Sequence, residues 1–177
     1  MGKSKNRNSN TEELEEGFRT AFIDREYNSN LAYRPEFLSN NAAEGKKVLS
    51  AIESELLRCD EFAISVAFIT NSGIEPFMQT FKELERRNIP GRILTTNYLN
   101  FSDPKALRRL SKLQNLEIRM YVTDDESEGF HTKGYLFRKD EMYRVIVGSS
   151  NITLGALTRN REWNTKMVST EQGEFLT

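Results

Sequence analysis

Apolar positions recur at helical spacing in several stretches of the chain. Val48, Leu49, Ile52 and Leu56 fall on one stripe within residues 42–58, which predicts an amphipathic helix. Ile74, Phe77, Met78, Phe81 and Leu84 form a longer stripe, and Asn71 and Ser72 are polar residues suited to open that helix. Ser102, Asp103 and Pro104 predict the start of another, with Leu107 and Leu110 turned inward. Thr11, followed by Glu12, Glu13, Glu15 and Glu16, reads as an N-cap with acidic residues at the positive end of a helix dipole. That helix would run to about Ile23. The polar, basic residues 1–10 ahead of it read as a disordered leader. Residues 24–41, Asn-rich with Pro35 and several aromatics, read as an irregular segment or lid.

Strand patterns lie between these helices. Phe62 to Ile69 is a nearly continuous apolar run, expected to be a strand buried on both faces. Arg92 to Thr96 and Leu116 to Val122 are further strands. Gly129 to Arg138 and Met142 to Gly148 flank the charged turn Lys139-Asp140-Glu141, a hairpin signal. A short helix near Thr153 to Leu157 and a last strand, Asn164 to Ser169, follow. Residues 124–128 (DDESE) form an acidic loop. Residues 171–177 resemble the first turn of a helix, which suggests one domain of a longer protein. Alternating helices and strands predict an α/β layer fold with a mixed sheet. Three segments result: a leader (1–10), an N-terminal helix with an irregular segment (11–41), and the main domain (42–177).

Composition narrows the classes. The 177 residues carry 25 Lys and Arg against 26 Asp and Glu, a net charge of −1, which excludes a globally basic nucleic-acid binder but not a local basic face. One cysteine, Cys59, excludes a disulfide framework and a Cys-rich zinc site; it reads as a small buried residue. The longest apolar run is too short to cross a membrane, and the N-terminus lacks the apolar stretch of a signal peptide. A cytoplasmic protein that does not engage membranes is expected. All histidine chemistry rests on His131, the single histidine.

His131 and Lys133 stand two apart on a predicted strand and so share a face. An imidazole beside an ammonium suits a core badly and a phosphate well: Lys133 supplies a cation, His131 a nucleophile or acid–base group. Gly148-Ser149-Ser150-Asn151 lies where a strand gives way to a helix, a place of free N–H groups suited to an anion. Asn151 adds an amide donor, and Ser149 or Ser150 a hydroxyl. Glu162, eleven residues on, could orient the imidazole. Residues 86–119 hold eight basic residues against Asp103 and Glu117, among them Arg92, Lys105, Arg108, Arg109 and Lys112. With Arg159 and Arg161 these are candidates for contacting a phosphate backbone.

His131-Thr132-Lys133, Gly148-Ser149-Ser150-Asn151 and Asn160-Arg161-Glu162 together match the pattern H-x-K, G-S-x-N, N-x-E, and the constellation resembles the phospholipase D superfamily. Residues 20–41, 44–70 and 91–107 resemble more specifically the nuclease-like domain at the N-terminus of bacterial superfamily II DEAD/DEAH-box helicases. The resemblance implies a phospholipase D-like mixed β-sheet flanked by helices on both faces. It implies a phosphodiesterase or nuclease acting on nucleic acid, DNA in preference to RNA, through a phosphohistidine at His131, with Lys133, Asn151 and Glu162 as the other catalytic residues. No metal and no cofactor are implied. One H-x-K per chain implies a homodimer that completes the site, and the helicase resemblance implies a C-terminal motor binding ATP. The superfamily motif has aspartate five residues after the lysine; here that residue is Arg138. The alternative reading is a catalytically degenerate module that binds nucleic acid or dimerises. A lipid-directed phosphodiesterase is disfavoured, since no amphipathic helix with a basic face is evident.

Overall fold

A computed structural model describes residues 4–123 and 129–174. The chain runs α1 (Ser4–Phe22), β1 (Glu36–Leu38), α2 (Val48–Arg58), β2 (Glu61–Val66), α3 (Asn71–Ile74), α4 (Met78–Arg86), β3 (Gly91–Thr96), α5 (Pro104–Leu110), β4 (Leu116–Tyr121), β5 (Lys133–Lys139), β6 (Met142–Gly148), α6 (Leu154–Thr158) and β7 (Asn164–Thr170). The seven strands form one sheet in the order β1-β7-β6-β5-β2-β3-β4. β2, β3 and β4 are parallel, and the remaining pairings are antiparallel. The architecture is the expected mixed sheet with flanking helices. Among the described residues no helix is long and apolar enough to cross a membrane.

Local chemistry sets the helix boundaries. Thr70 accepts from the Gly73 amide at 3.1 Å and caps α3. Pro76 lacks an N–H, and the single helix predicted from Asn71 and the Ile74 to Leu84 stripe accordingly passes through a 3-10 turn, Glu75–Phe77, between α3 and α4. Asp103 caps α5 at 2.8 Å with Pro104 in the first turn, as the sequence predicts. α1 begins at Ser4, not at Thr11. Residues 4–10 contain neither Gly nor Pro, so nothing in them breaks the helix that the leader was expected to precede.

The core lies between one face of the sheet and helices α2 to α6. Phe62, Ile64 and Val66 of β2 are buried there with Tyr135, Phe137, Ile146 and Ile93, against Ile52, Leu56, Phe77, Phe81 and Leu84. Phe62 stacks on Phe81 at 6.1 Å. Each such side chain contributes about 1.5–3 kcal/mol on burial. Strand β2 alternates instead of being buried on both faces: Ala63 and Ser65 are half-buried and line a shallow groove with Leu94, Gly134, Leu136 and Val147. Two further expectations change. The 24–41 segment supplies an edge strand, β1, paired with β7 through Phe37 and Thr165. Strand β5 starts at Lys133, so His131 lies on the loop before it. Pairing with β2 runs out at Val66 and Lys133, beyond which only the Ala67 amide reaches the Thr132 carbonyl, at 3.2 Å. The hairpin turn is Asp140-Glu141, with Asp140 left-handed (φ 53°). The acidic stretch 124–128 lies outside the described residues.

Gly73 packs against the main chain of Ile152, where a Cβ would collide with the carbonyl. Gly73→Ala is expected to lower stability by about 1–3 kcal/mol, as overpacking against backbone does. Urea denaturation measures this; an unchanged midpoint would contradict the contact.

Candidate active site

The segments predicted to carry chemistry converge on one edge of the sheet. Parallel strands β2, β3 and β4 end there, β5 and β7 begin there, and β6 ends there. In open α/β sheets this carboxyl edge is where ligands bind. Phe68 follows β2, Tyr98 follows β3, His131 precedes β5 and Lys133 opens it, Ser149 to Asn151 follow β6, and Glu162 precedes β7.

His131 is exposed, and Lys133 is half-buried beside it. The Lys133 ammonium lies 3.1 Å from His131 Nδ1 and donates to the His131 carbonyl at 2.7 Å. An ammonium only donates, so this contact is a hydrogen bond in the tautomer that leaves Nδ1 unprotonated. Burial holds the Lys133 ammonium below its ordinary value of 10.5, and the Glu162 carboxylate nearby opposes that shift. Phe68 and Tyr98 meet the imidazole edge-on, at 5.9 and 5.6 Å between ring centres.

Asn151 Oδ1 accepts from the Phe68 amide at 3.0 Å, which leaves the Nδ2 hydrogens as donors. The structure thus brings His131, Lys133 and Asn151 to one place. Glu162 is buried and accepts a short hydrogen bond from Ser149 Oγ. Ser149 also binds the Trp163 backbone in both directions, each at 3.0 Å. Gly148 lies so close to the Trp163 carbonyl that no Cβ fits. The described contacts tie Glu162 to Ser149 rather than to the imidazole of its own chain.

Ser150 leaves the expected phosphate-binding set. It is fully buried, its hydroxyl accepts from Asn164 at 2.9 Å, and its carbonyl accepts from the Tyr135 hydroxyl at 2.8 Å. Burial pushes the Tyr135 phenol up, so it stays a donor. Of the two serines, Ser150 ties the loop to the sheet.

The candidate backbone-binding cations do not form one patch. Arg92 pairs with Glu61 at 2.8 Å, and Arg109 reaches Glu75 and Asn71 from α5. Lys105 and Arg108 are exposed on α5, and Lys112 is exposed just beyond it. Arg159 caps α6, and Arg161 is exposed beside Glu162 in sequence. Arg138 stands at the far end of β5 from Lys133 and binds Glu61 at 3.2 Å. It faces away from the site, as strand alternation predicts. The aromatic walls at Phe68 and Tyr98 escaped the sequence reading. They sit on loops, where no periodicity marks a residue as part of a site.

The family model described as cardiolipin synthase, PLD-like domain, matches residues 54–175. The chain belongs to the phospholipase D-like family. No curated protein matches it. Among solved structures, NucT from Helicobacter pylori is 16% identical, with 81% of this chain and 89% of that one aligned at a TM-score of 0.61. The phospholipase D family member Nuc from Salmonella typhimurium is 15% identical over 77% and 85%, at 0.58. Phosphatidylserine synthase from Haemophilus influenzae is 17% identical over 78% of this chain and 35% of that one, also at 0.58. At such identities these likenesses establish the fold of this PLD-like domain alone.

The placement of Glu162 beside Lys133 has a measurable consequence. In the free protein the Lys133 ammonium is expected to titrate below 10.5 by nitrogen-detected NMR. Glu162→Gln removes the charge that holds it up, and so should lower the midpoint further. A rise would contradict this arrangement.

Proposed function

We propose that the domain is a phosphodiesterase acting on nucleic acid, DNA in preference to RNA. One observation carries the reading: His131 and Lys133, in hydrogen-bond contact, share a sheet edge with Asn151 and a buried Glu162, in the order of the family motif. Two like-natured basic groups placed together on a half-exposed edge suit an anion.

In the proposed reaction His131 of one subunit attacks phosphorus through Nε2, and the bond to the leaving oxygen breaks. His131 of a second subunit protonates that oxygen, then takes a proton from water as the water attacks the phosphohistidine. The attacking ring needs its proton on Nδ1, and the protonating ring needs one on Nε2. One imidazole cannot hold both forms at once, which favours a dimeric site. Lys133 and the Asn151 amide stabilise charge on the phosphoryl oxygens, with no step assigned to a metal. The local resemblance to helicase N-terminal domains supports attachment to a motor that delivers the substrate in the cytoplasm.

A second reading, a noncatalytic nucleic-acid-binding module, is favoured by Arg138 where the superfamily motif has aspartate. The two separate in one assay. Cleavage of bis-p-nitrophenyl phosphate and plasmid in EDTA is expected for the wild type and lost in His131→Ala. Plasmid binding without cleavage would favour the module.

The dimer is tested by titrating His131→Ala subunits into wild type under exchange. Only wild-type pairs keep two histidines, so activity should fall as the square of the wild-type fraction. A linear fall would show that one chain suffices.

A further inference from the structure

Residues 97–101 leave β3 in a tight, outward turn. Leu99 and Asn100 both have left-handed backbone, with φ of 54° and 52°. That conformation costs a leucine energy and persists only where the surroundings enforce it. The surroundings do so here. Tyr98 N donates to Thr96 Oγ1 at 3.1 Å, and Asn100 N donates to the Asn97 carbonyl at 2.9 Å. On the far side Ser102 donates to the Ala67 carbonyl, and the Asp103 amide donates to the Ile69 carbonyl at 2.7 Å. The outcome is an aromatic ring held in solvent: Phe101 is 58% exposed.

Its position relative to the chemistry is defined. Phe101 meets Phe68 edge-on at 5.1 Å, and Phe68 meets the His131 ring. Tyr98 also meets the imidazole edge-on. The exposed ring is thus one side chain removed from the group that attacks phosphorus. Beyond it, α5 presents Lys105 and Arg108, three residues apart on one helix face and both exposed. A rigid exposed ring between a phosphate-binding pair and further cations matches the composition of single-strand binding surfaces, where bases stack and phosphates meet Lys and Arg.

We propose that Phe101, backed by Phe68 and Tyr98, is a stacking subsite for the nucleobase next to the scissile phosphate. The domain then takes unpaired nucleotides, in single strands or frayed ends, over continuous duplex. This rests on the reading that His131 and Lys133 hold the phosphate. A base inside a duplex has both faces covered by its neighbours and offers Phe101 nothing to stack on.

The test is a binding measurement, so that it stands apart from catalysis. Full-chain protein carrying His131→Asn, which prevents turnover, is titrated with a ten-nucleotide single strand bearing one 2-aminopurine, placed at each position in turn. Quenching at one position is expected. Phe101→Ala should weaken binding about 10-fold, within the range for loss of one stacked base. Phe101→Leu should lose as much, since it keeps apolar bulk without a π face, and Phe101→Trp should retain binding. Replacing the quenched base by an abasic site should weaken binding by the His131→Asn parent equally, and Phe101→Ala should add nothing to it. Phe101 is exposed, so these variants should keep the parent melting temperature.

Equal binding by Phe101→Ala, full rescue by leucine, or an equal loss on duplex would overturn the subsite. So would an effect confined to binding of anionic phospholipid vesicles or to subunit association. Wild-type hydrolysis of bis-p-nitrophenyl phosphate reports the catalytic reading separately. Hydrolysis with no role for Phe101 removes the subsite alone. Phe101-dependent quenching without hydrolysis removes the catalytic reading alone.

Discussion

The site depends on a seam between two segments far apart in sequence: the chain leaving β2 and the chain leaving β6. Ile152 N donates to the Phe68 carbonyl at 3.1 Å, and Thr70 N donates to the Ile152 carbonyl at 3.0 Å. Ile69 and Ile152 form an isolated parallel bridge, both fully buried. Asn151 joins the seam through its side chain, by accepting from Phe68 N. Buried backbone groups must be paired, so each strand end satisfies the other as the sheet runs out. The same bonds tie Asn151 to Phe68, whose ring meets that of His131, and Gly73 is required because α3 starts directly over this crossing. Fold and site therefore share their hydrogen bonds, and damage to the seam would reach both.

Charge sets this edge apart from the rest of the sheet. Elsewhere the cations of the sheet are matched: Arg138 and Arg92 with Glu61, Lys139 with Asp60, Lys166 with Glu36. Asp60 accepts from both Lys139 and the Asp140 amide, which holds its carboxyl below the usual range and fixes the hairpin turn. Lys133 is treated differently. It is partly desolvated, its direct partners are the ring and carbonyl of His131, and Glu162 acts on it without a hydrogen bond among those described. A partly desolvated cation without a carboxylate hydrogen-bond partner gains when an anion comes near.

Much of this was legible in the sequence. Period-two and helical patterns placed β3, β4, β6, β7, α5 and α6 within a few residues, whereas α1 starts well ahead of Thr11 and α2 only at Val48. The motif placed His131, Lys133, Asn151 and Glu162 at one edge, because strand ends close in space carry them. What escaped depends on pairing that no local pattern records. Ser149 and Ser150 are adjacent and chemically identical, yet one binds Glu162 and the other is sealed against Asn164. Arg92 and Lys105 belong to one basic stretch, yet only Arg92 has Glu61 within reach on the neighbouring strand. Strand β1 is three residues long and exists because β7 offers it an edge, so its sequence shows no alternation to read.

The loops at this edge divide the work according to their rigidity. The β6–α6 loop is buried at Ser150 and pinned at Asn151, so it supplies a donor in a fixed place. The β3–α5 loop is pinned at both ends but turned outward, with Leu99 and Phe101 in solvent. Ser102 and Asp103 anchor the loop just after its left-handed residues, Leu99 and Asn100. Phe101 therefore packs on Phe68 with one side and stays more than half exposed, one side chain away from His131.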